Sequence, residues 1–455
     1  MKRNYPLTLA LSVVFLLGAG NTFAGGKYLY IQSNNIGDGQ NSVIGYERHK
    51  DGTLTPHPAG PFMTAGAGFD NNTNGKLGPN DNDSPIAVSP DKKWLFAANG
   101  HSNTIAVFDI QSDGSLKHVN GSPFDSQGVQ PVSLAISNDV LVVANRNEDP
   151  HQLDALRGGA YANYASFKIN QDGTLKFLSK IELTDGYKNT QVLVSSRNPQ
   201  IVFGNDFQVD ADFDGEGNVS KLFGNEQHVR GRLNTLMVST NPGHLHQVDQ
   251  QAVPETVTPA PDVPSIPLGI WDHPKKNLVY AGLVTRNQLG VYSYDHSGKL
   301  TFVAAVDNSG QDICWLKTNK KGTRLYAVNN LPRAEQGDKA STVTVFDISG
   351  KRAEKPVEIG RAELPLPLGT FINNRNSEQP NSAAFQFDID DREKYLYVIS
   401  QRINQTAENT NEAGNILHTL KIRSSGKLSV VDSRHLAQDG VSHRARPQGV
   451  VSIDL

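Results

Sequence analysis

Residues 70–81 read DNNTNGKLGPND and set oxygen-bearing side chains at alternate positions: Asp70, Asn72 and Asn74, then Gly75, with Leu77 in eighth place and Asp81 in twelfth. Such spacing converges oxygens on one hard cation while glycine permits the sharp bend of a calcium loop. A second stretch, VDADFDGEGNVSKL, carries Asp210, Asp212, Asp214 and Glu216 within one short span. Carboxylates that close repel one another unless they are solvated or share a cation. Calcium in a structural role, pinning long loops, is the expectation for both, beside the plainer reading of solvated acidic turns. No organic cofactor is expected, since no phosphate-binding glycine loop occurs, and neither GxSxG nor HExxH is present.

A second group of chemistry-bearing residues sits in short polar breaks between apolar runs. These are His101 in NGHSN, Arg146 with Glu148 and Asp149 in NRNED, Asn205 and Asp206 in GNDFQ, Arg286 in VTRNQ, Asn329 and Arg333 in NNLPR, Arg402 in SQRIN, and His443, Arg444 and Arg446 near the end of the chain. Arginines grip carboxylates in two-pronged geometry, so a small anionic or sugar-derived molecule is the ligand class these residues suit. Hydrolysis would draw on His101 or His443 to activate water beside an acid such as Asp206, with Arg146, Arg286, Arg402, Arg444 or Arg446 and the amides of Asn205 and Asn329 holding the ligand. The plain alternative is that Asn, Gly and Arg after a strand are ordinary rim residues. His244 and His246 share one side of a strand, but with no third ligand in view they read as exposed outer-strand residues.

What positions these breaks is a repeat. A turn of Asp-Gly or Ser-Gly with Leu two places on recurs as DGTL at Asp51, DGSL at Asp113, DGTL at Asp172, and SGKL at Ser297 and Ser425, with a degenerate SGKR at Ser349. Each supplies the positive φ of a tight hairpin. Before each turn come two alternating apolar runs, such as KWLFAAN and TIAVFDI, and a further short run such as SPIAVSP or QPVSLAIS opens each unit but the first. The doubled gap between the third and fourth turns holds a seventh unit, QVLVSSRNPQIVFGND with NTLMVST, whose turn is expected to be replaced by an insertion. The C-terminal RPQGVVSIDL supplies the strand the first unit lacks. The reading is all-β: a seven-bladed β-propeller of four-stranded antiparallel blades, closed by the C-terminal strand. In that architecture the polar breaks fall on one face.

The N-terminus predicts export. Lys2 and Arg3 precede LTLALSVVFLLGAG and the small-residue ending at Ala24, a signal peptide over 1–24. No later segment approaches the roughly 20 apolar residues of a membrane-spanning helix, so a periplasmic or secreted protein, without membrane insertion, is expected. One propeller domain over 25–455 is expected, with insertions near 62–83, 207–233 and 247–267, the last a Pro-rich surface linker. Cys314 is the only cysteine, so no internal disulfide forms. A net charge of −3 with interspersed signs gives nucleic acid no electrostatic reason to bind, and a monomer is expected.

The phrases QPVSLAIS, DVLVVANRN and SPIAVSPDKKWLFAANGHSNTIAVFDIQSDGSL resemble the lactonase family of seven-bladed propellers, which includes 6-phosphogluconolactonases and muconate-lactonising enzymes. The resemblance implies hydrolysis of a sugar lactone at one end of the central channel by inward His, Arg and acidic residues. It also implies a Phe-His-Pro-like phrase on inner strands; here QDICWLKTNKKG and NSAAFQFDIDDRE hold no His, and the nearest phrase is Asp272-His273-Pro274. The rival reading is a non-catalytic interaction platform for a protein partner. A calcium-dependent phosphohydrolase or quinoprotein-type oxidoreductase ranks third.

Overall fold

In the computed structural model the described residues are Met1, 26–69, 84–149, 152, 161–184, 186–208, 211–213, 219–222, 231–254, 257, 265–365, 370–372, 378–403 and 414–455. They build seven antiparallel sheets, each of four main strands in chain order from inside to outside. Blade 1 is the exception in order, because its inner strand Gln448–Asp454 comes last in the chain. That strand pairs antiparallel with Lys27–Gln32, setting Leu29 opposite Ser452. Inner strands of the other blades are Ile86–Val88, Pro131–Ser137, Tyr187–Val194, Pro267–Asp272, Gln311–Thr318 and Ser382–Ile389. No described residue is α-helical. The seven-bladed ring and its C-terminal closure are as the repeat predicts.

Period-two alternation explains why the strands read as nearly unbroken apolar runs. In Trp94–Asn99 of blade 2, Trp94, Phe96 and Ala98 join the cluster shared with blade 3, while Leu95 and Ala97 join the one shared with blade 1. Each blade is thus buried on both faces, and seven clusters fill seven seams. A side chain such as Phe96, fully buried, contributes about 1.5–3 kcal/mol. Cys314 is buried in the seam between blades 6 and 7, as an inert thiol should be.

The hairpin turns do more than reverse the chain. Gly114, at φ +80°, lies against the Tyr28 ring of blade 1, and Gly173, at φ +82°, lies against Trp94 of blade 2. A Cβ at either position would meet those rings at 2.4 and 2.9 Å, so the repeat's glycine serves both the left-handed turn and the packing on the preceding blade. Tyr30 then ties the seam by donating its hydroxyl to the Gly114 carbonyl at 2.7 Å.

Blade 4 departs from the expectation in two ways. Its insertion follows the second strand, Ile201–Gln208, and includes a small hairpin of Ala211–Phe213 with Val219–Leu222, so it does not replace the outer turn. The outer turn is present as Ser239–Gly243 and leads into the strand Leu245–Ala252. The first residues of the expected linker are therefore the blade's outer strand, paired with Arg232–Val238; alternation through HQVDQQ carries it despite the later prolines.

Candidate active site at one end of the ring

The connections between second and third strands, and those between successive blades, meet at one end. Asn34 of the first type donates to the Arg446 carbonyl of the second at 3.0 Å, and Arg402 Nη1 donates to the His443 carbonyl at 3.2 Å. Inner strands bend as they leave this end. Register shifts occur at Pro131/Ser133, Asn189/Gln191, Pro267/Ile270, Ile313/Trp315, Ala384/Phe387 and opposite Ile31/Gln32. Ser84, Gln130 and Asp312, at or just before these strands, hold left-handed φ of 59°, 58° and 58°. Bulges and left-handed non-glycine residues concentrate where side chains are re-aimed toward a site.

At this end the clearest chemical pair is His101 with Asp149. His101 Nδ1 lies 2.6 Å from Asp149 Oδ2, joining the second-to-third connections of blades 2 and 3. The Asp149 side chain is fully buried, whereas that of His101 is 34 % exposed. An ionised carboxylate only accepts, so Nδ1 is the donor of this contact. Asp149 is held in turn: Gln152 Nε2 donates to its Oδ2 at 2.6 Å and to the His101 carbonyl at 3.0 Å. Gln152 Oε1 accepts from Asn103 Nδ2 at 2.7 Å, and Asn103 Oδ1 accepts from the Gln130 backbone at 2.8 Å. A base oriented by a buried acid, itself fixed by further hydrogen bonds, is the arrangement general-base catalysis requires.

The other expected residues are distributed differently. Asp206 is fully buried and accepts Arg232 Nε at 2.8 Å, Arg232 Nη2 at 3.0 Å and Asn234 Nδ2 at 2.8 Å. Burial pushes its carboxyl above the usual range while Arg232 and Asn234 pull it back. It is paired inside blade 4 and not with either histidine. Asn205 donates to Thr190 Oγ1 at 2.7 Å and to the Pro267 carbonyl at 2.6 Å, stitching blade 4 to blade 5. Asn329 donates to Thr342 and Thr344 at 2.9 and 2.8 Å and accepts from Asn308. Both are fully buried, so these amides hold strands together where ligand binding was expected; the recurring Asn at the end of second strands is a repeat feature.

The arginines also divide. Arg146 is buried against Phe207, with its guanidinium 5.1 Å from the ring, paired to Glu148 and donating to the Asn189 carbonyl at 3.1 Å. Arg402 is nearly fully buried, and burial lowers its pKa. Arg286 ends a short 3₁₀ turn, Val284–Arg286, and is half-buried. Arg446 and His443 are half-buried, and Arg444 is exposed with no ion pair among the described residues. His443 donates no ring hydrogen bond to a described carboxylate. His273 lies at the opposite end, where its Nδ1 accepts the Lys275 and Lys276 amides at 3.0 and 3.2 Å, so the Asp-His-Pro phrase caps a turn. His244 and His246 are exposed, as expected. Of the calcium-loop residues, Asp70, Asn72, Asn74, Asp81, Asp210, Asp214 and Glu216 lie outside the described residues, and Asp212 is described only as part of a strand.

Two acids were underweighted in the sequence. Asp149 appeared there only as one of several rim carboxylates. Asp312, second residue of the blade 6 inner strand, takes a hydrogen bond from Gln311 at 2.9 Å, and burial raises its carboxyl above the ordinary range. The signal for it is an acid opening an otherwise apolar inner strand. Buried amide oxygens of Gln32, Asn145, Asn189 and Gln401 have no partner among the described residues. Each calls for a donor, supplied by water or by a ligand hydroxyl.

A family model described as Lactonase, 7-bladed beta-propeller, matches residues 24–156. No curated protein matches the sequence. Among solved structures, the periplasmic gluconolactonase of Pseudomonas aeruginosa is similar with a TM-score of 0.61 at 14% identity, covering 94% of this chain and 99% of that one. A 6-phosphogluconolactonase candidate from Bacteroides uniformis gives 0.61 at 14%, covering 94% and 100%. A hypothetical selenium-binding protein from Sulfolobus tokodaii gives 0.57 at 11%, covering 94% of each chain. At such identities the structures share a fold and no more. The ring shows the fold and the family model matches its N-terminal part: this chain is a seven-bladed β-propeller that is similar over residues 24–156 to the lactonase propellers.

Proposed function

We propose that this protein is an exported hydrolase of small lactones, sugar-derived or anionic, acting at the end of the ring that carries His101. The observation that carries the reading is the 2.6 Å contact of His101 Nδ1 with the buried Asp149 carboxylate beneath a partly exposed imidazole. In this reading His101 Nε2 removes a proton from water as the oxygen attacks the ring carbonyl. The acyl C–O bond then breaks, and the proton passes to the departing alkoxide to give an open hydroxy acid. Water is added across one bond and nothing is oxidised or reduced. In this reading Asp149 accepts from Nδ1 and steadies the imidazolium, and the exposed Arg444 at the same end of the ring meets an anionic substituent.

The test is a pH-stat assay of the mature protein against a panel of aldonolactones, phosphorylated and not, with Asp149→Asn alongside. Turnover of at least one member, reduced at least about a hundredfold by Asp149→Asn, supports the reading. A panel left untouched by protein of native melting behaviour refutes it and favours the interaction platform.

A further inference from the structure

A concavity of about 860 Å³ lies away from His101, on the opposite end of the ring between blades 3 and 4. The way an outer turn closes on the preceding blade differs around the ring. In blades 2 and 7 the second strand begins with Trp94 or Tyr395, and the next blade's outer turn closes on that ring through Gly173 or Gly52. Blade 3 begins its second strand with Val140 instead, and the next blade's outer turn is Ser239–Gly243, where a Cβ on Gly243 would first meet Val140 and Leu178. No aromatic ring closes this seam, as none does where Gly298 meets Thr235 and Ile201 of blade 4, and the groove lies beside the Gly243 turn.

Its chemistry is mixed. Val140, Leu178 and Val238 form an apolar floor, and the rim is rich in amides and hydroxyls, among them Asn138, Asn241 and Thr240. Those three make no side-chain hydrogen bond among the described residues, so they are available to a partner. Lys168 is neutralised by Asp139, which leaves Lys176 as the uncompensated charge of the lining. Hydroxyl-rich ligands need donors and acceptors together above an apolar surface for their C–H faces, and the volume falls within the roughly 300–1,000 Å³ of ordinary ligand sites.

We propose that this groove is a second binding site, separate from the His101 end, for an acidic oligosaccharide: sugar hydroxyls meet the amide rim, C–H faces lie on the floor, and one carboxylate meets Lys176. The test titrates the mature protein with tetragalacturonate, and with neutral maltotetraose for comparison, followed by calorimetry and saturation-transfer NMR. Saturable binding of the acidic tetramer is expected, with affinity in the millimolar range or tighter. Val140→Trp, which places here the ring that Trp94 supplies in blade 2, should lower it at least about tenfold, with the melting midpoint checked in parallel. Lys176→Gln, on an exposed side chain that cannot disturb the core, should weaken the acidic tetramer about tenfold and bring it level with the neutral one. No saturable binding, equal binding of both tetramers by the parent protein, or binding indifferent to both substitutions overturns the proposal. Neither titration requires lactone turnover, so the two readings fail separately.

Discussion

Replacing Arg232 with Met separates scaffold from chemistry at Asp206. In the structure the Asp206 carboxylate has three donors, two from Arg232 at 2.8 and 3.0 Å and one from Asn234 at 2.8 Å, and no solvent exposure. Arg232→Met keeps the aliphatic volume but removes both guanidinium donors, leaving a buried carboxylate with one amide. Stranding one partner of a buried ion pair costs about 3–5 kcal/mol. With an unfolding entropy of about 2 cal/mol/K per residue over roughly 430 residues, that corresponds to a melting midpoint lowered by about 4 °C. Asp206→Asn should also destabilise, and in the double variant, which strands no charge, the loss should fall short of the sum of the singles by about 0.5–3 kcal/mol. Scanning fluorimetry of the four proteins gives the cycle, and lactone turnover measured well below the midpoints supplies the second readout. An unchanged midpoint in Arg232→Met refutes the reasoning. So does an Asp206→Asn protein that melts normally but has lost turnover, since Asp206 would then belong to the chemistry.

Burial holds the His418 imidazole, hydrogen-bonded to Ser433 and Ser400 at 2.8 and 3.0 Å, down to about 3. The unfolded chain protonates it below about 6.5 while the folded chain does not, so stability falls as pH drops from about 6.5 toward 3, by about 2 kcal/mol at pH 5. His418→Gln should show a shallower decline of melting midpoint between pH 7.5 and 5 than the parent, and parallel slopes would contradict this. At Gly269 an added Cβ would stand 1.7 Å from the Cys314 carbonyl oxygen of the neighbouring blade; Gly269→Ala should cost at least about 1–3 kcal/mol in denaturant unfolding, and a neutral result would refute the close approach. For the two acidic loops, chelator should lower the thermal midpoint, and an unchanged midpoint would remove calcium from both.

The ring was readable because its signals are local and repeated. Asp-Gly turns, alternating runs and a missing first strand specify blade number, strand order and closure. Blade 4 was misjudged where periodicity was interrupted: an insertion between second and third strands displaced the outer hairpin, and Ser239–Gly243 lacks the Asp-Gly marker. The site was only half readable. His101 stood out as a lone histidine in a turn, but its partner comes from the next blade, and nothing in a linear sequence tells Asp149 from Asp206. Burial and cross-strand pairing make that distinction. Asn205 and Asn329 show a different limit: the residue recurs at one register position in several blades, where it bridges strands, and recurrence in sequence does not separate that task from ligand binding.

The most direct measurement is the ratio of kcat/KM for parent and His101→Gln on whichever lactone the protein turns over fastest. His101→Gln keeps an amide donor for the buried Asp149 carboxylate, and both proteins are assayed well below their melting midpoints, measured in parallel. The proposed role predicts kcat/KM lowered by about a hundredfold or more, with the loss in kcat. Equal kcat/KM in the two proteins would place the chemistry elsewhere on the ring and contradict the proposal.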